Sequence, residues 1–201
     1  MKISSLNRLL LLLTGLLAAY QIAIAIDGLG TLAVASYTVG FGVLLVASLL
    51  ILILGYEVLE LPIVVVVSTL IPLALSLGLV SEFLFAWQRF YLAFCLLGFS
   101  AIFLTRLLSA PMKMATIVLA LVHGVAGLVI FILPIVLALS GKSGFGFLLV
   151  GVGGGFIGIG GLFLSFLKAG SPILSREMIL KILPLLLVLT TASFVAGFAL
   201  R

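Results

Sequence analysis

Long apolar stretches, interrupted at short intervals by one or two charged residues, set the pattern of this chain. Uncharged runs occupy residues 9–26, 28–56, 61–81, 90–105, 114–141, 143–167 and 182–200. Nearly all reach the roughly 20 residues that a helix needs to cross ~30 Å of hydrocarbon at about 1.5 Å per residue. The shortest, 90–105, suffices only by borrowing residues 83–88, which places Arg89 inside its first turns. The runs are continuously apolar rather than alternating, so they predict helices and not barrel strands. The expectation is an all-α, polytopic membrane helical bundle of seven transmembrane helices, one membrane domain over residues 1–201.

The first run has a second reading. Lys2 and Arg8, an apolar core and Ala23-Ile24-Ala25 also resemble a cleavable signal peptide. Its apolar core is longer than the usual run of about 7 to 15 residues, which favours a retained helix.

Composition sharpens the class. Of 201 residues, 65% are hydrophobic and 7% charged, and mean hydropathy is +1.59, whereas roughly a quarter of a soluble domain is charged. The bilayer is therefore the expected surrounding. A net charge of +5 would suggest nucleic acid in a soluble protein, but the basic residues follow helix ends and no loop is large enough for a binding domain. Lys2, Arg8, Arg106, Lys113, Lys168, Arg176 and Lys181 fall on one side, with only Lys142 and Arg201 on the other. That bias predicts a cytoplasmic amino terminus and an external carboxyl terminus. Glu57 and Glu60, between the second and third spans, neither help nor oppose it. The segment 168–181 is basic enough to touch anionic head groups.

Two stretches nearly repeat: GFGVLLV at 40–46 and GFGFLLV at 144–150. A duplication would make residues 8–80 and 113–201 two repeat units joined by a linker helix at 83–108, with both GFG stretches opening their helices at the outer end. Leu61-Pro62 would then match Leu183-Pro184, Ser68-Thr69 would match Thr190-Thr191, and Thr14-Gly15 would match His123-Gly124. The offset grows from 104 residues at GFG to 122 at Leu-Pro, and chance matches are common in so apolar a chain. Duplication and coincidence both stand. An odd linker would make the triplets parallel, a 3+1+3 plan known among transporters.

The sixth span contains GVGGGFIGIGG. Gly151, Gly154, Gly158 and Gly161 recur at three and four, and Gly155 adds further small-xxx-small pairs, so a close helix contact is expected along that face. An unwound helix with freed carbonyls is the alternative. G-x-G-x-x-G occurs here without a preceding strand, which excludes a dinucleotide fold.

Polar groups within the spans are few. His123, ten residues past Lys113 and so ~15 Å deep, would sit near the midplane. It has no Asp, Glu or Cys within a turn, and one histidine cannot supply bis-histidine haem ligation, so neither metal nor cofactor is expected. Its distant partners would be Tyr20 and Gln21 in the first span. Glu82 and Arg89, seven apart, would share a helix face beside an aromatic belt of Trp87 and Tyr91. Asp27 reads as an interfacial charge, and Cys95 as a core thiol.

Walker, zincin, nucleophile-elbow and paired-cysteine patterns are absent, and an enzyme is not expected from one histidine and scattered hydroxyls. Lys181 at the mouth of the last span cannot serve as a retinal lysine. Two classes remain: a small carrier or channel for a small or apolar solute, with His123, Gln21, Tyr20, Glu82 and Arg89 as substrate contacts, and a non-catalytic accessory or assembly subunit. Expected partners are the lipid bilayer and other membrane subunits or further copies of the chain, with no nucleic acid.

Overall fold

The computed structural model describes residues 3–26, 28–108, 111–168 and 173–201. Asp27 and Lys2, assigned above from sequence, lie outside them, and the side chain of Lys168 is likewise not described. Among the described residues the chain is all helical. Its helices are α1 (Ser5–Ile24), α2 (Thr31–Leu54), α3 (Pro62–Ser68), α4 (Leu70–Phe83), α5 (Gln88–Leu107), α6 (Met112–Leu139), α7 (Leu148–Lys168) and α8 (Arg176–Ala199). Seven helical segments are long and apolar enough to cross a membrane, α3 and α4 together making the third.

Local chemistry sets the ends. Ser4 and Ser175 cap α1 and α8 by accepting from the amides of Asn7 and Met178. Pro62 opens α3 after an extended Leu61, the conformation that a following proline demands. α6 stops at Gly141, whose φ of 70° lets Lys142 N–H reach Leu137 O and its own N–H reach Ala138 O. The third span breaks at Thr69 because Pro72 has no N–H for the Ser68 carbonyl and its ring crowds that carbonyl. The hydroxyls of Ser68 and Thr69 bond back to Val65 O within the break.

The helices close into a ring. α1 packs on α2, α2 on α4, α4 on α6, α6 on α7, α7 on α8 and α8 on α1, while α5 lies outside against α3, α4 and α6. α4 is the most enclosed, with every residue from Ile71 to Val80 buried. Aromatic rings fill the middle: Tyr37 and Phe41 of α2 meet Phe198 at 4.8 and 6.2 Å, and Phe147 lies 6.0 Å from Phe198 and 5.2 Å from Phe83. A second cluster joins Val66, Leu73, Leu77, Cys95, Ile102, Val122 and Ala126 between α3, α4, α5 and α6. Leucine, isoleucine and phenylalanine side chains cover the exposed surface of the spans, as a bilayer solvent requires.

The helix starts correct the register of the repeat. Gly40-Phe41-Gly42 does not open its helix: it lies nine residues inside α2, about 14 Å from the start. Gly144-Phe145-Gly146 belongs to the turn before α7. Phe41 is 1% exposed in the core, whereas Phe145 is 72% exposed at the rim. Pro62 begins a helix but Pro184 sits inside α8, and Thr69 marks a break where Thr190-Thr191 lies in continuous helix. The uncharged run 28–56 exceeds one membrane thickness, so its charge boundaries did not locate the first turn. The closed ring, with α5 outside it between α4 and α6 in the chain, is compatible with a parallel duplication and does not require one.

Candidate functional site

Two polar clusters lie at opposite ends of the ring. One is at the end where α1 begins, here the basic end; the other is at the far end. At the far end Tyr37 donates to Glu82 Oε2 at 2.9 Å, and Arg201, just past α8, pairs with Glu82 Oε1. The Glu82 and Arg201 side chains are largely enclosed. Gly144 and Gly146 seat the Leu200-Arg201 backbone, which lies within 2.8 Å of where a Cβ would stand on either glycine. Burying a carboxylate is tolerated only with partners, and Tyr37 and Arg201 supply them.

Arg89 is not among these partners. The sequence reading put it on one helix face with Glu82, but the chain leaves α4 at Leu84 (φ −127°, ψ 50°), and Arg89 lies exposed in the first turn of α5. Two spans end and begin between these residues, so a reversal must separate them. Trp87 and Phe90 lie exposed at this rim, 6.1 Å apart, in the place of an interfacial aromatic belt.

Near the far end of α1, Gln21 is 4% exposed and its Oε1 accepts no hydrogen bond. It borders a cavity of about 20 Å³ lined by Ile22, Ile26, Leu29, Tyr37, Thr38 and Phe41, room for one water. Tyr20 points away, 52% exposed.

His123 is half-buried on α6, and its Nδ1 lies 3.1 Å from Leu119 O of the same helix. In the ring α6 is three places from α1 in either direction, with the aromatic core between. The structure therefore does not bring His123 together with Gln21 or Tyr20.

The basic end holds polar contacts that the sequence reading missed. Asn7 Nδ2 donates to the Tyr56 hydroxyl at 3.0 Å and to Lys181 O at 3.3 Å, tying α1 to the turn after α2 and to α8. Burial raises the Tyr56 pKa above its usual value, and the hydrogen bond from Asn7 partly opposes that rise. Glu60 pairs with Arg176 across the same end, both side chains remaining exposed, and Glu57 is exposed as well. The signal for Asn7 was available: Asn7, Thr14 and Gln21 recur every seven residues, and with Leu11 and Ala18 they form the buried stripe of α1.

The glycine face of α7 is only half packed. A Cβ on Gly151 would stand 2.8 Å from Phe131 O, and one on Gly154 3.0 Å from Ile130 C, so α6 and α7 touch there backbone to backbone. Gly155 meets Phe131 at an ordinary 3.5 Å, while Gly158 and Gly161 face open space. The expectation of one continuous contact is corrected: the helices part below Gly155, and Gly127 and Gly124 of α6 likewise have nothing within 4 Å. A Cβ on Gly153 would stand 2.7 Å from the Phe194 ring of α8, so that glycine packs against α8.

Cys95 is buried, its thiol 3.7 Å from Leu73 O. Among the described residues no three His, Cys, Asp or Glu side chains gather as a metal site. No family model, curated protein or solved structure matches this chain.

Proposed function

We propose that this multi-pass membrane protein is a small carrier for a small or apolar solute, working without catalysis, in which α1–α4 and α6–α8 tilt against each other. The observation that supports this is the placing of the two polar clusters. At the far end, Tyr37 and Glu82 of the first half hold Arg201 of the second. At the basic end, Asn7 and Glu60 of the first half hold Lys181 O and Arg176 of the second. Each cluster is a short-range polar latch that opens while the other stays shut, and the contacts between them are apolar, with little directional cost to a tilt. In this reading Glu82, Tyr37 and Arg201 gate one mouth, while Asn7, Tyr56, Glu60 and Arg176 gate the other. Gln21 lies near the far mouth within the first half, beside the cavity between α1 and α2. By the distribution of basic residues the basic end is cytoplasmic, so the amino terminus is inside and Arg201 outside.

The filled centre favours a second reading. Phe41, Phe147 and Phe194 are fully buried in the middle of the ring, as suits a permanently closed accessory or assembly subunit whose outer faces meet other membrane subunits or further copies of the chain.

Thiol accessibility separates the two without knowledge of the solute. With Cys95→Ser removing the native thiol, Phe41→Cys in sealed vesicles meets a membrane-impermeant maleimide. The carrier reading expects labelling that rises in Glu82→Gln. Protection of Phe41→Cys in both backgrounds supports the closed subunit instead.

A further inference from the structure

The short α3 leaves a cleft on the outer surface of the bundle at its basic end. Pro62, Ile63 and Val66 of α3 and Phe103, Arg106 and Leu107 of α5 line it, enclosing about 40 Å³. Ile63, Phe103 and Leu107 are exposed apolar side chains of the spans, so the cleft opens toward lipid and not toward the ring's centre. Arg106 is its one charged residue. Its Nε is shut off from solvent and donates to none of the described residues, and the ion pairs among those residues, Glu60 with Arg176 and Glu82 with Arg201, do not involve it.

A guanidinium N–H held out of water needs an acceptor, and a guanidinium beside an apolar surface suits a phosphate above a hydrocarbon chain. Arg106 stands in the last turn of α5, the depth at which a bilayer places its phosphates. Glu60 on the neighbouring turn is neutralised by Arg176, so the positive charge of Arg106 is not cancelled from that side.

We infer that this cleft binds an anionic phospholipid, with Arg106 donating to the phosphate and an acyl chain lying along Ile63, Phe103 and Leu107. The site is independent of the carrier reading: it needs only that the bundle sits in a bilayer.

The test is titration of the full chain in detergent with phosphatidylglycerol, phosphatidylcholine or inorganic phosphate, read by native mass spectrometry and thermal unfolding. Phosphatidylglycerol should bind and protect best. Arg106→Gln should weaken its apparent Kd by about five-fold, the worth of one basic contact at an anionic surface, and Lys113→Gln should change it little. Ile63→Trp, which keeps the arginine but fills the groove, should also weaken binding, and it carries the test if Arg106→Gln fails to fold. Unchanged affinity in either cleft variant overturns the site. So does an equal loss in Lys113→Gln, which would mean diffuse surface charge, and so does equal protection by inorganic phosphate, which would mean a free-anion site.

Discussion

Arg201 and Glu82, 119 positions apart in sequence, form an ion pair that fastens the end of α8 against the end of α4. Because both side chains are largely enclosed, removing one partner leaves the other charge desolvated. Arg201→Gln should therefore cost about 3 kcal/mol of stability. Arg201→Gln combined with Glu82→Gln should cost less than the sum of the single changes, since the double variant strands no charge. Reversible unfolding in mixed micelles measures all three; strict additivity would mean that the pair does not interact.

Packing along α7 predicts an unequal glycine scan. Gly151→Leu and Gly153→Leu each drive a side chain into helix backbone or a buried ring, and overpacking of this kind costs about 1–3 kcal/mol or more. Gly158→Leu enters open space and should change stability by less than about 0.5 kcal/mol. Equal losses at all three positions would show that the lower halves of α6 and α7 are in contact.

At the basic end, Tyr56 accepts from Asn7 in a buried place, and burial favours its neutral phenol more than that bond favours the phenolate. A folded-state pKa above the usual value near 10.0 means that the folded chain keeps its proton where the unfolded chain loses it. The contribution is thus fully present below about pH 10 and is lost as pH rises through the folded value. Tyr56→Phe should cost about 1 kcal/mol at neutral pH and reduce the alkaline fall in stability. An identical alkaline limb in Tyr56→Phe would exclude this residue as a contributor.

Orientation is checked by fusions. Reporters placed after Lys113 and after Lys181 should read cytoplasmic, and one after Arg201 external. A cytoplasmic reading after Arg201 would contradict the assignment of sides by basic residues.

How far the sequence could be read depended on the range of each interaction. The seven spans were legible because the length of an uncharged run is a local property matched to bilayer thickness. Thr69 was not, since the effect of Pro72 falls on a carbonyl four residues earlier and leaves hydropathy unchanged. Glu82 invited pairing with Arg89, the nearest opposite charge, whereas its partners come from 45 and 119 positions away, distances at which pattern carries no information. The seven-residue spacing of Asn7, Thr14 and Gln21 was readable but was masked by the leucines around it. Gly158 and Gly161 illustrate the reverse failure: periodicity gives the face on which residues lie and says nothing of where two helices diverge.

The central claim is that the two halves open alternately at the two ends. Spin labels on a Cys95→Ser background, at Leu61 and Met178 for the basic end and at Phe85 and Leu200 for the far end, report both separations by double electron–electron resonance in lipid nanodiscs. The account predicts two distance populations at each end, with Glu82→Gln lengthening the far-end distance and shortening the basic-end one. A single narrow distance at both ends, unmoved by Glu82→Gln, would contradict it.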